Sequence, residues 1–248
     1  YLPIMAGISL GPNDDRFIYD YRTTVSDLIV QTHYKRLSQW CKDHSVAAQC
    51  EAAGGPSHTV PKDLLKAVGA ANIPMGELWM QGRSYVKIPA SAAHAYGKRL
   101  VSLEWITQPV SYFAPASDWI KYRSDEAFLL GGNYLCSSCV NYSPPEAGLP
   151  GWVHATTTRI DHTTSWWPLA RSFFDYMGRC SFMLQSGENI ADVAVYRNFQ
   201  TGSGELWYAN ADDNLDSFSK NYAFDYVNDD IVQNLSLIHI SEPTRLRR

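Results

Sequence analysis

Cysteine is scarce in this chain: five in 248 residues, an odd number at low density, which excludes a disulfide-stapled scaffold. Cys136 and Cys139 have C-x-x-C spacing, but no second ligand pair at zinc-finger distance accompanies them, and Cys41, Cys50 and Cys180 stand apart. The pair reads as two packed thiols. No apolar run approaches membrane-spanning length. There is no excess of basic residues either: the net charge is −4, which gives no electrostatic basis for binding nucleic acid or an anionic membrane. No glycine-rich phosphate loop stands at the end of any predicted strand. His33, His44 and His58 lack metal-ligand spacing. What the chain does have is apolar bulk, 45% hydrophobic with eight Trp and fifteen Tyr, enough for a large packed core.

Helix and strand patterns alternate. Residues 23–43 follow a 3.6-residue apolar period through Leu28, Ile29, Tyr34, Leu37, Trp40 and Cys41. A short strand is expected at 46–52, then a helix over 61–69 begun by Pro61 and closed by Gly69. Strands at 72–79, 99–107 and 132–140 are separated by an Ala-rich helix at 90–98 and a helical stretch around 117–130. After a Pro/Gly-rich loop, residues 164–187 read as a long amphipathic helix, 190–198 as a strand and 221–232 as a strand-to-helix turn.

Spacing carries the most information. Glu51, Glu77 and Glu104 are 26 and 27 residues apart, each near the C-terminal end of a short apolar strand that a loop and helix follow. That is the unit size of a parallel β/α repeat. In a (β/α)8 barrel it delivers all three carboxylates to the rim where active sites form. A doubly wound open sheet fits the alternation too; the missing phosphate loop favours the barrel. Glu77 is then expected where its strand opens into a site, which explains a carboxylate inside the apolar stretch "NIPMGELW". Carboxylates on one rim suit glycoside hydrolysis, which needs an acid and a base flanking the scissile bond. Trp105 directly follows Glu104, so strand alternation turns it toward the helices, and it and Trp79, near Glu77, are read as core. One tryptophan of "SWWP", Trp166, is a candidate cleft lining; Asn133 and Arg159 are candidate hydroxyl ligands near strand or loop ends. His94, alone on a helix, reads as structural.

The segments "DYRTTVSDLIVQTHYKRLSQWCKDH", "CEAAGGP", "IPMGELW", "SAAHAYGKRLVSLEWIT", "WWPLARSFFDYMGRCSFMLQSGENIADVAVY" and "FDYVNDDIV", in this order, resemble glycoside hydrolase family 106, whose known members are α-L-rhamnosidases. The resemblance implies a large (β/α)8 catalytic domain, inverting hydrolysis by glutamates, a calcium ion in the site and a carbohydrate substrate from plant polysaccharides or glycosides. It also implies export to the periplasm or outside. On it, Glu104 matches the general base at the seventh barrel strand. Glu77, on the sixth, is assigned to the calcium or sugar site with a possible catalytic part, and Glu51 to the same site. The general acid is expected upstream of Tyr1. One departure concerns "GGNYLCSSCVNY": Tyr134 and Cys136 or Ser137 stand where family members often carry N-R and then a His, which bears on sugar specificity. A barrel glycosidase of other specificity and a non-catalytic sugar-binding barrel are the competing expectations.

Both chain ends are unusual. Tyr1 follows no initiator Met or leader pattern. "LSLIHISEPTR" back-translates codon for codon to a transposase adapter used in sequencing libraries, so 235–248 is set aside as a non-native tail; without its three Arg and one Glu the net charge becomes −6. The expected organisation is 1–187 as a partial (β/α)8 domain holding strands five to eight, and 188–234 as the start of a following α/β domain. The chain is expected to be an internal fragment of a larger, metagenome-derived protein, inactive by itself because half a barrel leaves open sheet edges.

Overall fold

A computed structural model of the chain describes residues 2–51, 63–78, 84–107, 117–137, 142–152, 158–197 and 221–234. After a short turn of helix, α1 (Leu2–Met5), comes one continuous helical rod: α2 (Asp14–Ile29), a π-helical stretch at Val30–Lys35, and α3 (Arg36–Asp43). Asp14 and Asp15 lie in the first turn of the rod, where carboxylates complement the helix dipole. The π stretch buries Val30 and Tyr34 against the core, and burial pushes the Tyr34 hydroxyl up. The rod ends on Ser45, left-handed at φ 57°, with Val46 N–H donating to Cys41 C=O as in a Schellman motif.

The rest is β/α in order: β1 (Gln49–Glu51), α4 (Leu64–Gly69), β2 (Ile73–Glu77), α5 (Ser84–Ala95), β3 (Ser102–Trp105), α6 (Ser117–Leu129), β4 (Tyr134–Ser137), α7 (Ala170–Ser186), β5 (Val193–Tyr196), β6 (Phe224–Val227) and α8 (Asp229–Asn234). The expected elements are present, each strand shorter than its apolar run. The start of α4 differs in cause. Asp63, not a proline, caps it, its carboxylate accepting from Lys66 N–H at 3.0 Å.

β1 to β4 form one parallel sheet in the order β1-β2-β3-β4, and β5 pairs parallel with β6 in a second. The helices cover one face of the four-stranded sheet. α5 comes so close to β2 that a Cβ on Gly76 would lie 2.0 Å from the Tyr85 carbonyl oxygen and 2.7 Å from Pro89, so only glycine fits. Trp105 turns toward the helices, as strand alternation predicts: its indole N–H donates to Ser124 Oγ at 2.8 Å and its ring stacks on Phe173. Trp79 lies outside the described residues. Around Trp105 gather Leu78, Val86, Leu103, Ile120 and Met177. A second cluster joins Val30, Tyr34 and Cys41 of the rod to Leu65, Val68 and Ile88, and to Phe224, Tyr226 and Ile231. Residues on both sides of position 187 therefore share one core. Among the described residues no helix is long and apolar enough to cross a membrane.

Candidate active site

Side chains alternate along a strand, so the face opposite the helices carries Gln49 and Glu51 from β1, Met75 and Glu77 from β2, Ser102 and Glu104 from β3, and Tyr134 and Cys136 from β4. The parallel register makes Glu77 and Glu104 direct neighbours and sets Glu51 beside Met75, two residues short of Glu77 on the same face. All three glutamates thus meet at the C-terminal end of the sheet, each offering a carboxylate oxygen within 4.8 Å of the others. Glu77 is more enclosed than the sequence led one to expect: it is only 5% exposed, while Glu51 and Glu104 are half-buried.

Three like charges at this distance repel, and desolvation adds to the cost. Glu51 Oε1 is buried without a hydrogen-bond partner among the described residues. An orphaned buried oxygen beside two further carboxylates fits a hard divalent cation, which takes oxygen ligands at about 2.3–2.6 Å. The set lacks the nitrogen and sulfur donors zinc prefers.

One Glu104 oxygen is already engaged. Thr107 Oγ1 donates to Glu104 Oε1 at 2.5 Å. This contact depends on Ile106, whose φ of 48° places a buried β-branched residue in the left-handed region. Such a conformation costs about 1–3 kcal/mol and persists only where the surroundings enforce it. Here Thr158 Oγ1 donates to the Ile106 carbonyl at 2.8 Å, from a buried position on the loop before α7. Below the carboxylates, Gln49 Nε2 donates to Ser102 Oγ at 2.9 Å and reaches Met75 Sδ and Cys136 Sγ, so β4 brings its Cys136 thiol to the glutamate face.

The remaining sequence candidates lie elsewhere. Asn133 precedes β4, at the opposite end of the sheet: its Oδ1 accepts from Val101 N–H at 2.8 Å and its Nδ2 donates to Arg99 C=O at 2.9 Å. Arg159, 3% exposed, donates to the carbonyls of Trp152 and Pro150 and pairs with Asp161 at 2.6 Å, tying a loop together. Trp166 is half-buried against the Trp105 cluster, edge-on to Phe173. Cys139, the other half of the C-x-x-C pair, and His58 are outside the described residues.

A second polar cluster was not anticipated beyond a structural His94. Asp225 of β6 reaches α5, where Lys87 Nζ lies 2.9 Å and His94 Nδ1 2.8 Å away and Ser91 Oγ donates at 3.1 Å. Asn189 also donates to it. Burial pushes the Asp225 carboxyl up, but His94 and Lys87 outweigh it and hold the group below the usual carboxylate range. Nearby, Tyr96 donates to Asp230 at 2.7 Å; burial and this bond both push its hydroxyl up. No spacing rule links "SAAHAYGK" to "FDYVNDD"; their order in the chain was the only signal.

Residues 1–242 match the family described as alpha-L-rhamnosidase, glycoside hydrolase family 106, a match reaching into the segment set aside from 235 onward. A solved structure of a rhamnosidase from Novosphingobium sp. PP1Y is similar, with a TM-score of 0.71 and 28% identity over 90% of this chain and 22% of that one. A Formosa agariphila protein named "Putative beta-glucuronidase" is 28% identical over 203 residues, 79% of this chain and 17% of that protein. The chain spans about a fifth of the length of these relatives. With a match over nearly its whole length, built on the strands that carry the three glutamates, the chain belongs to glycoside hydrolase family 106.

Proposed function

We propose that the protein containing this chain hydrolyses terminal α-L-rhamnosides of plant polysaccharides or glycosides with inversion, Glu104 acting as general base. The convergence of Glu51, Glu77 and Glu104 at successive parallel strand ends carries this reading. Each offers an oxygen within 4.8 Å of the others, a clustering that suits residues sharing one ion or one side of the substrate. On the family resemblance the general acid lies across the substrate, on a strand before Tyr1. Strand order supports the barrel as well. β1 to β4 run side by side in chain order, as successive barrel strands do, without the reversal that defines a doubly wound sheet. On this reading they are strands five to eight.

Glu104 takes a proton from water as the water oxygen attacks the anomeric carbon; the glycosidic bond breaks and the leaving oxygen takes the acid's proton. Glu51 and Glu77 would hold calcium. A bound calcium ion supplies positive charge that orients sugar hydroxyls. The test is nitrophenol release from an aryl α-L-rhamnoside by the full-length protein, with and without chelator. Chelator-sensitive activity that falls about 10²–10⁴-fold in Glu104→Gln is expected. Undiminished activity in that variant moves the base to Glu77 or Glu51, and a folded protein inert on every aryl glycoside overturns the enzyme reading.

A further inference from the structure

We infer that Thr107 is a positioning residue for the general base, held in place by a strained turn at Ile106 that Thr158 locks. The inference rests on the reading of Glu104 as base. A carboxylate that accepts a proton from water must present one oxygen to that water in a fixed direction. In a strand-end glutamate three side-chain torsions are free to spoil this. Thr107 removes the freedom by donating to Oε1 at 2.5 Å, which leaves Oε2 as the oxygen to be aimed.

The local sequence explains how. From Glu104 to Thr107 is three residues, and an extended strand would carry Thr107 some 10 Å onward and away. The left-handed Ile106 reverses the chain so that the hydroxyl turns back to the carboxylate. Isoleucine is a poor residue for that conformation. Burial of its side chain among Leu78, Leu103, Trp105 and Ile120, and the bond from Thr158 to its carbonyl, hold it there. Thr107 itself is 2% exposed, so water does not compete for its hydroxyl. Three elements thus act together: the end of β3 carries the carboxylate, the turn after it returns the Thr107 hydroxyl, and the loop before α7 holds that turn.

The experiment compares Thr107→Val, Thr107→Ser and Glu104→Gln in the full-length protein on an aryl α-L-rhamnoside. Valine keeps the shape and removes the donor. Thr107→Val is expected to lower kcat about ten- to a hundredfold, the rate equivalent of one hydrogen bond to a charged group, with KM, melting temperature and calcium affinity by calorimetry unchanged. Thr107→Ser is expected to restore most of kcat. Wild-type kcat in Thr107→Val beside an inert Glu104→Gln overturns the positioning role and leaves the base assignment standing. An active Glu104→Gln removes the base assignment and the inference with it. A loss that Ser fails to restore, or one matched by lower melting, makes Thr107 merely structural. If Thr107→Val does not fold, Thr107→Cys, which replaces the hydroxyl by a weak donor, decides: reduced kcat at normal KM supports the role, and wild-type kcat overturns it.

Discussion

The chain handles buried carboxylates in two opposite ways. On the outer side of α5, the single carboxylate of Asp225 meets an ammonium, an imidazole, a hydroxyl and an amide. At the ends of β1 to β3, three carboxylates meet one another, and one oxygen of Glu51 has no hydrogen-bond partner among the described residues. The first arrangement is complete and contributes to folding. The second gathers like charge, which on the proposed function a bound cation would offset. Charge matching thus separates a carboxylate set among cationic and polar partners from three carboxylates gathered at one sheet end, of which only Glu77 is buried.

The contrast is sharpest when one member of each cluster is removed. Glu104→Gln should cost the most activity, about 10²–10⁴-fold, without lowering the melting temperature, since it relieves repulsion. A lower melting temperature would show that Glu104 belongs to the structural class. Asp225→Asn should do the reverse: it leaves Lys87 charged and enclosed, lowering stability by about 3–5 kcal/mol in chemical denaturation, while rate per folded molecule holds. The pH dependence has a definite sign. The Asp225 carboxyl is depressed in the folded state, so its contribution is present above the unfolded value of about 3.9 and is lost as pH falls through the lower folded value. The stability gap between wild type and Asp225→Asn should therefore be full at pH 6 and close below about pH 4.

Glu51→Gln comes next. Calcium affinity by calorimetry should fall about tenfold or more, because ligand charge sets affinity, while the calcium-free protein melts no lower. Unaltered affinity would remove Glu51 from the metal site. The smallest effect belongs to Tyr176→Phe. The Tyr176 hydroxyl donates to Asp125 at 2.6 Å, a bond that, with partial burial, pushes it up to about 12. Asp125 is partly solvated and also paired with Lys121, so the loss should be about 1 kcal/mol.

Much of the carboxylate site was legible in advance because it is periodic. Equal spacing of Glu51, Glu77 and Glu104, each after a short apolar run, is a local pattern repeated, and a parallel sheet converts it into convergence. The inward turn of Trp105 followed from alternation in the same way. Asn133 and Arg159 show where such reasoning stops. Both were picked as polar residues near element ends, but proximity to an end does not say which end, and Asn133 lies at the N-terminal one, satisfying backbone groups. The loop-tying bonds of Arg159 depend on carbonyls that every sequence possesses. Thr107 stood in plain view in "LEWIT", yet its role needs the left-handed Ile106, and isoleucine gives no hint of that conformation.

By itself the sequence determined the β/α repeat, the three carboxylates at strand ends, the acidic charge and the family, since each is written in nearest-neighbour spacing or in motifs along the chain. Tertiary structure alone decided the rest. It placed Glu77 between two strands and out of water, brought Thr158 beneath Ile106, and joined His94 to Asp225 across 131 positions. Those contacts join residues that no local pattern relates, and they form only when the helices and strands pack into one core.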